Sequence, residues 1–212
     1  MLFRSLGNPD RHLLAAQGNE MLGRLDDAER EYREAVKANP DDLSPARGLA
    51  SFLIRRGRLN PAREELRRII DAKADDAAAK GTKFWARRTL AQLTADGGSY
   101  RALEQALAIV DQNVGSDGKL GPEDVLVQVA LLAGRPEPAS WRRAIALLGS
   151  LSRSQSLSAE QRLQLAQLHE KSGNWTDCRN ELLSLAATAN TDRKSTRLNS
   201  SHEWISRMPS SA

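Results

Sequence analysis

The side chains best suited to chemistry are few in this 212-residue chain, and they do not converge. His12, His169 and His202 lie far apart, and none has a second ligand at helical spacing, so the sequence offers no two-histidine metal site. The single cysteine, Cys178, excludes an internal disulfide framework and any multi-cysteine zinc site. It falls at a small-residue position of an apolar helix face, where a thiol acts as a buried substitute for alanine rather than as a nucleophile. Residues 111–124, DQNVGSDGKLGPED, have the outline of a calcium loop. Its sixth position should be glycine and is Ser116, and its twelfth should be a bidentate glutamate and is Pro122. Asn174-Trp175-Thr176 fits a glycosylation sequon, but MLFRSLGNPD at the start is not expected to act as a secretory signal. There is no phosphate-binding glycine loop, no HExxH and no GxSxG elbow. The sequence therefore predicts no catalytic, cofactor-binding or metal-binding residues, and a protein that is not an enzyme.

Charge argues the same way. The formal net charge is +4, but residues 192–212 carry Arg193, Lys194, Arg197 and Arg207 against Asp192 and Glu203, and without them it falls to +2. So balanced a chain has no electrostatic case for nucleic acid or a membrane surface. The arginine pairs at 55–56, 67–68, 87–88 and 142–143 read as solvated helix faces. The last stretch differs from the rest: six serines, no helical apolar stripe and little Ala or Leu. Residues 192–202 back-translate, with permitted codons, to a sequence that resembles a common short-read sequencing adapter. Residues 191–212 are therefore expected to be a non-native or disordered tail, with the natural chain interrupted near Thr191.

The elements that would position any site are helices. Ala, Leu and Arg are the commonest residues, aromatics are 4%, and β-branched residues are sparse. No apolar run approaches the roughly 20 residues that span a bilayer. Self-similarity sets the organisation. Ala16 matches Ala50, Gly23 matches Gly57, Arg24-Leu25 match Arg58-Leu59, and Ala28 matches Ala62, all at an offset of 34. Tyr32 and Ala35 match Leu66 and Ile69 in the same register. In the first unit a helix A through Leu14 and Leu22 ends at Gly23, Asp26 is expected to cap a helix B, and Asn39-Pro40 stops it. Ala28, Tyr32, Ala35 and Val36 give helix B an apolar face at helical spacing. A third helix A is expected over 85–93, closed by Gly97-Gly98, with Tyr100 packing the turn and Leu103, Leu107 and Val110 lining its helix B. A fourth pair brackets Gly134-Arg135-Pro136. A fifth begins at Ser158, with Gln161 completing a capping box, and continues through Leu165-Ala166, Gly173, Trp175 and Cys178. Trp85, Trp141 and Trp175 read as packing residues.

This pattern resembles the tetratricopeptide repeat over about 11–190. The small residues Ala16 and Ala28 stand where that family lets two helices touch, although His12 replaces its usual tryptophan and Ala74 its closing proline in the second unit. The resemblance implies an all-α fold, an α-solenoid of about five stacked antiparallel helix pairs with a concave groove. Residues 1–10 would be either the end of an earlier repeat or an apolar N-terminal cap. The groove wall implied by the family comes from helix A, and its candidate peptide-contacting residues are Gln17, Arg47, Ser51, Arg88, Gln92 and Gln167. The subclass that grips chaperone C-termini uses Lys and Asn at two places where Leu13 and Gln17 stand, so that clamp is not expected. The expected function is a non-catalytic scaffold binding another protein or a peptide segment, with no nucleic acid and no membrane insertion. The alternative is a regulatory or substrate-recruiting part of a larger enzyme. A cytoplasmic location is the expectation.

Overall fold

The computed structural model describes residues 8–115 and 117–187. The expectations for residues 1–7, for Ser116 and for the adapter-like tail lie outside them. The helices are α1 (Asn8–Met21), α2 (Leu25–Ala38), α3 (Leu43–Arg55), α4 (Leu59–Asp71), α5 (Ala77–Ala95), α6 (Tyr100–Asp111), α7 (Pro122–Ala133), α8 (Pro138–Ser154) and α9 (Ala159–Lys171). A further helix, α10, covers 175–187. Among the described residues there is no strand, and an isolated antiparallel bridge joins Val114 to Leu120. The fold class is all-α, an α-solenoid of helix pairs. The chain divides into two compact units between Leu131 and Leu132, inside α7.

In the first unit α1 packs on α2, α3 on α4, and α5 on α6, while α2 contacts α3 and α4 contacts α5. The turn that makes each pair is the same. Gly23 and Gly57 have φ of 72° and 70°, the left-handed region that a Cβ disfavours. Gly23 N–H donates to the Glu20 carbonyl (3.0 Å) and Arg24 N–H to that of Asn19 (2.8 Å). Gly57 and Arg58 repeat this on Ile54 and Leu53, both at 2.9 Å, so the last carbonyls of each helix A are satisfied. Small residues then let the backbones approach: Ala16, Ala28, Ala50 and Ala62 are all fully buried. Tyr32 and Phe52 meet with ring centroids 5.3 Å apart. A Cβ added to Gly48 would lie 3.1 Å from the Tyr32 ring, so α3 approaches α2 closely at that glycine.

In the second unit α8 packs on α9. Ser158 and Gln161 form the expected capping box at the start of α9. Gly173, with φ 75°, closes α9 as Gly23 closes α1: its N–H reaches the Glu170 carbonyl at 2.9 Å and Asn174 N–H that of His169 at 2.8 Å. Cys178 is buried, as its small-residue position implied.

Four local expectations are corrected. Asp26 does not cap α2, whose N-cap is Arg24 with no side-chain cap bond. Asp26 and Asp27 lie in the first turn, where they favour the positive end of the helix dipole instead. Helix α5 begins roughly two turns before Trp85, because Asp76 caps it through Ala79 N–H and Ala77–Ala79 are strong helix formers without an apolar stripe to announce them. Tyr100 and Trp175 are each 65% exposed. Both open a helix B, ahead of the face that Leu103 and Cys178 begin to bury. Finally, the arginine pairs are not uniformly solvated, because Arg55, Arg87 and Arg88 tie elements together.

Candidate protein-binding face

The first helices of the pairs lie side by side: α1 contacts α3, and α3 contacts α5. Each buries one face in the core and turns a polar row outward. Gln17 on α1, Arg47 on α3 and Gln92 on α5 are exposed, Ser51 and Arg88 are half-buried, and Gln167 is exposed on α9 in the second unit. Five of the six sequence-named residues thus fall on three consecutive, touching helices of the first unit.

Charge on this unit is largely neutralised by clamps. Glu20, at the end of α1, accepts from Arg55 Nε (2.8 Å) and Nη2 (2.9 Å) and from the Tyr32 hydroxyl (3.0 Å). One carboxylate so joins α1, α2 and α3. Burial, and then the bond to Glu20, push the Tyr32 hydroxyl up to about 12. Glu29 pairs with Arg33 at 2.7 Å and with Arg58, the N-cap of α4. Burial opposes its charge, but the Arg33 hydrogen bond and the Arg58 attraction outweigh that and hold the carboxyl below its ordinary value. Arg63 Nη2 donates to the Leu93 carbonyl at 2.8 Å, fastening α4 to α5.

Arg88 is bound still more tightly. Its Nη1 lies 3.1 Å from Asp124 Oδ1 and its Nη2 2.7 Å from Glu123 Oε2, both in the first turn of α7. Asp124 is only 2% exposed and also accepts from Asn113 Nδ2 at 2.6 Å. Asn113, fully buried, donates to the Phe84 carbonyl (3.0 Å) and accepts from Arg87 Nη1 (3.2 Å). Beside it Gln128 Nε2 donates to Asp111 at 2.6 Å. The loop that resembled a calcium site is thus held by an internal polar network. Arg88 belongs to that network, and its guanidinium is already occupied by two carboxylates.

Arg47 is arranged differently. Its guanidinium carbon sits 4.8 Å from the Trp85 ring centroid, across the α3–α5 contact, in cation–π geometry. Trp85, read from the sequence as a packing residue, is half-buried and part of this face. The signal for it was present, because Trp85 stands at an outward helix-A position in the same register as Arg88 and Gln92. Among the described residues no group of three or more His, Cys, Asp or Glu side chains is placed to hold a metal ion, and no helix is long and apolar enough to cross a membrane. His12 Nδ1 lies 2.7 Å from Glu31, a link between α1 and α2.

Comparison with known proteins places the fold. Residues 21–83 match the family model described as tetratricopeptide repeat. No curated protein matches the chain in sequence. Among solved structures it is similar to PilW, a widely conserved type IV pilus biogenesis factor (20% identity, 85% of this chain and 78% of that one, TM-score 0.60). It is also similar to PilF of Pseudomonas aeruginosa (15%, 92% and 82%, 0.57). A third is YrrB, a TPR protein with an unusual peptide-binding site (11%, 90% and 98%, 0.54). At such identities the likeness speaks for the fold alone. With the 34-residue repeat and the glycine-closed helix pairs, the match marks residues 21–83 as a tetratricopeptide-repeat segment.

Proposed function

We propose that this protein is a non-catalytic scaffold that binds another protein, or an extended segment of one, on the outward row of its first helices. The observation that supports this reading is the lateral contact of α1, α3 and α5, which lines up Gln17, Arg47, Ser51 and Gln92 as exposed or half-exposed polar groups on one continuous wall. Hydrogen-bonding side chains and a guanidinium on a rigid helical surface suit an extended peptide or a partner's helix. YrrB, a TPR protein with an unusual peptide-binding site, has the same fold, and this supports the use of such a wall for an extended segment.

The test is site-specific photo-crosslinking in the full chain. A photoreactive residue at Gln17, Ser51 or Gln92 is expected to trap one and the same protein, and one at Arg67 on the exposed side of α4 is expected not to. Charge reversal at Arg47 should weaken that capture. Equal trapping from Arg67, or capture indifferent to Arg47, would refute the assignment of the face. Arg88 is unsuited to such a test, since reversing it would also break the bond to buried Asp124.

A further inference from the structure

Arg47 and Arg88 occupy the same register position on successive helices, and each reaches across to the next first helix of the array. Gly57 and Gly98 fix this register, because each closes its helix A with a positive φ the same distance further on, ten residues after its arginine. Their partners differ. Arg88 meets two carboxylates, Glu123 at 2.7 Å and Asp124 at 3.1 Å. Arg47 meets the face of Trp85, and among the described residues no carboxylate or other acceptor is bonded to it. A ring face attracts the positive charge but uses none of the guanidinium's five N–H donors. It also restrains the long side chain, so less freedom is lost when those donors bind. The neighbouring Arg55 and Arg58 are both satisfied by glutamates of this chain.

We propose that Arg47, held over the Trp85 ring, is the specificity anchor of the binding face, and that it takes an aspartate or glutamate side chain of the bound segment. The ligand carboxylate supplies at Arg47 what Glu123 and Asp124 supply internally at Arg88. Ser51, one turn along α3, offers a hydroxyl beside it. This inference rests on the reading of the face given above. It concerns an acidic side chain within the segment; a chain terminus presents the same single carboxylate to Arg47, and the blocked and free C-termini of the test separate the two.

The probe is a random twelve-residue peptide library, displayed with blocked C-termini and in parallel with free ones, selected against the full chain. Binders are then mapped by amide and indole NMR shifts. The expected result is enrichment of Asp or Glu at one position in both libraries, with shifts at Arg47, Ser51 and Trp85. A glutamine analogue of the selected acid, and Arg47→Gln in the protein, should each weaken binding about tenfold, as loss of one charge-assisted bidentate contact implies. Arg47→Lys should recover only part of it. Unchanged circular dichroism and melting of the variants separates this from misfolding, since Arg47 is exposed. Peptides that map to the same wall without an acidic preference would overturn the inference and leave the binding face standing. A preference confined to free C-termini would do the same. Peptides that shift no residue of α1, α3 or α5 would overturn both.

Discussion

Replacing Asp124 tests the internal network most sharply. Its carboxylate is 2% exposed and accepts from Arg88 and Asn113, so Asp124→Ala strands a largely buried guanidinium and the side-chain amide of Asn113. Removing one partner of a buried ion pair costs about 3–5 kcal/mol. Arg88 keeps Glu123, but that side chain is 77% exposed, and a solvated contact supplies about 0–1 kcal/mol. The expected loss is therefore about 3 kcal/mol, a fall in Tm on the order of 10 °C for a unit of this size. Asp124→Ala, Arg88→Met and the double variant would be compared by denaturant unfolding followed by circular dichroism. The double variant should lose clearly less than the two single losses combined, since no stranded charge remains. A single-variant loss under about 1 kcal/mol, or strict additivity, would refute the view that this pair is a buried clamp between α5 and α7.

Three further outcomes follow from the same geometry. Gly23→Ala and Gly57→Ala should each cost about 1–2 kcal/mol by chemical denaturation, purely from backbone strain, because no atom lies within 4 Å of either added Cβ. Losses near zero would contradict the left-handed turn. Glu65 has a buried Oε1 without a hydrogen-bond partner, and burial raises its carboxyl above the ordinary 4.5, against the weaker pull of Arg68 and Arg33. Its contribution is fully present below that value and is lost as pH rises through the raised folded value, so Glu65→Gln should be more stable than the parent at neutral pH and lose that advantage in acid. Glu29 is the opposite case: held below 4.5, it stabilises above that value, and the gain disappears as pH falls through its folded value. Arg58→Gln should move the Glu29 titration upward by carboxyl NMR, and an unmoved titration would show that Arg58 does not hold it.

What the sequence disclosed was whatever repeats. Ala16, Gly23 and Ala28 recur 34 residues on because each pair must close and touch in the same way, and the structure places them in the positive-φ turns and fully buried crossings that this demands. The same register located Gln17, Arg47, Ser51, Arg88 and Gln92 on outward helix positions. It could not distinguish Arg47 from Arg88. That difference is made by Trp85 in one case and by Asp124 in the other, residues whose role depends on which helix they meet. Asn113 and Asp124 lie among Gly, Ser and Asp in a stretch with the composition of a solvent loop, yet both are buried, because Phe84, Arg87 and Arg88 arrive from 25 or more residues away to satisfy them. Asp26 misled for a local reason: a turn closed by Gly23 already supplies the chain reversal, and α2 begins one residue before a side-chain cap would act.

The central claim is that partners bind the wall formed by α1, α3 and α5. Hydrogen–deuterium exchange on the full chain, alone and with the protein trapped by photo-crosslinking, measures this directly. The account predicts added protection of Asn8–Met21, Leu43–Arg55 and Ala77–Ala95, greatest around Arg47 and Trp85. Protection confined to Leu25–Ala38, Leu59–Asp71 and Tyr100–Asp111 would contradict it.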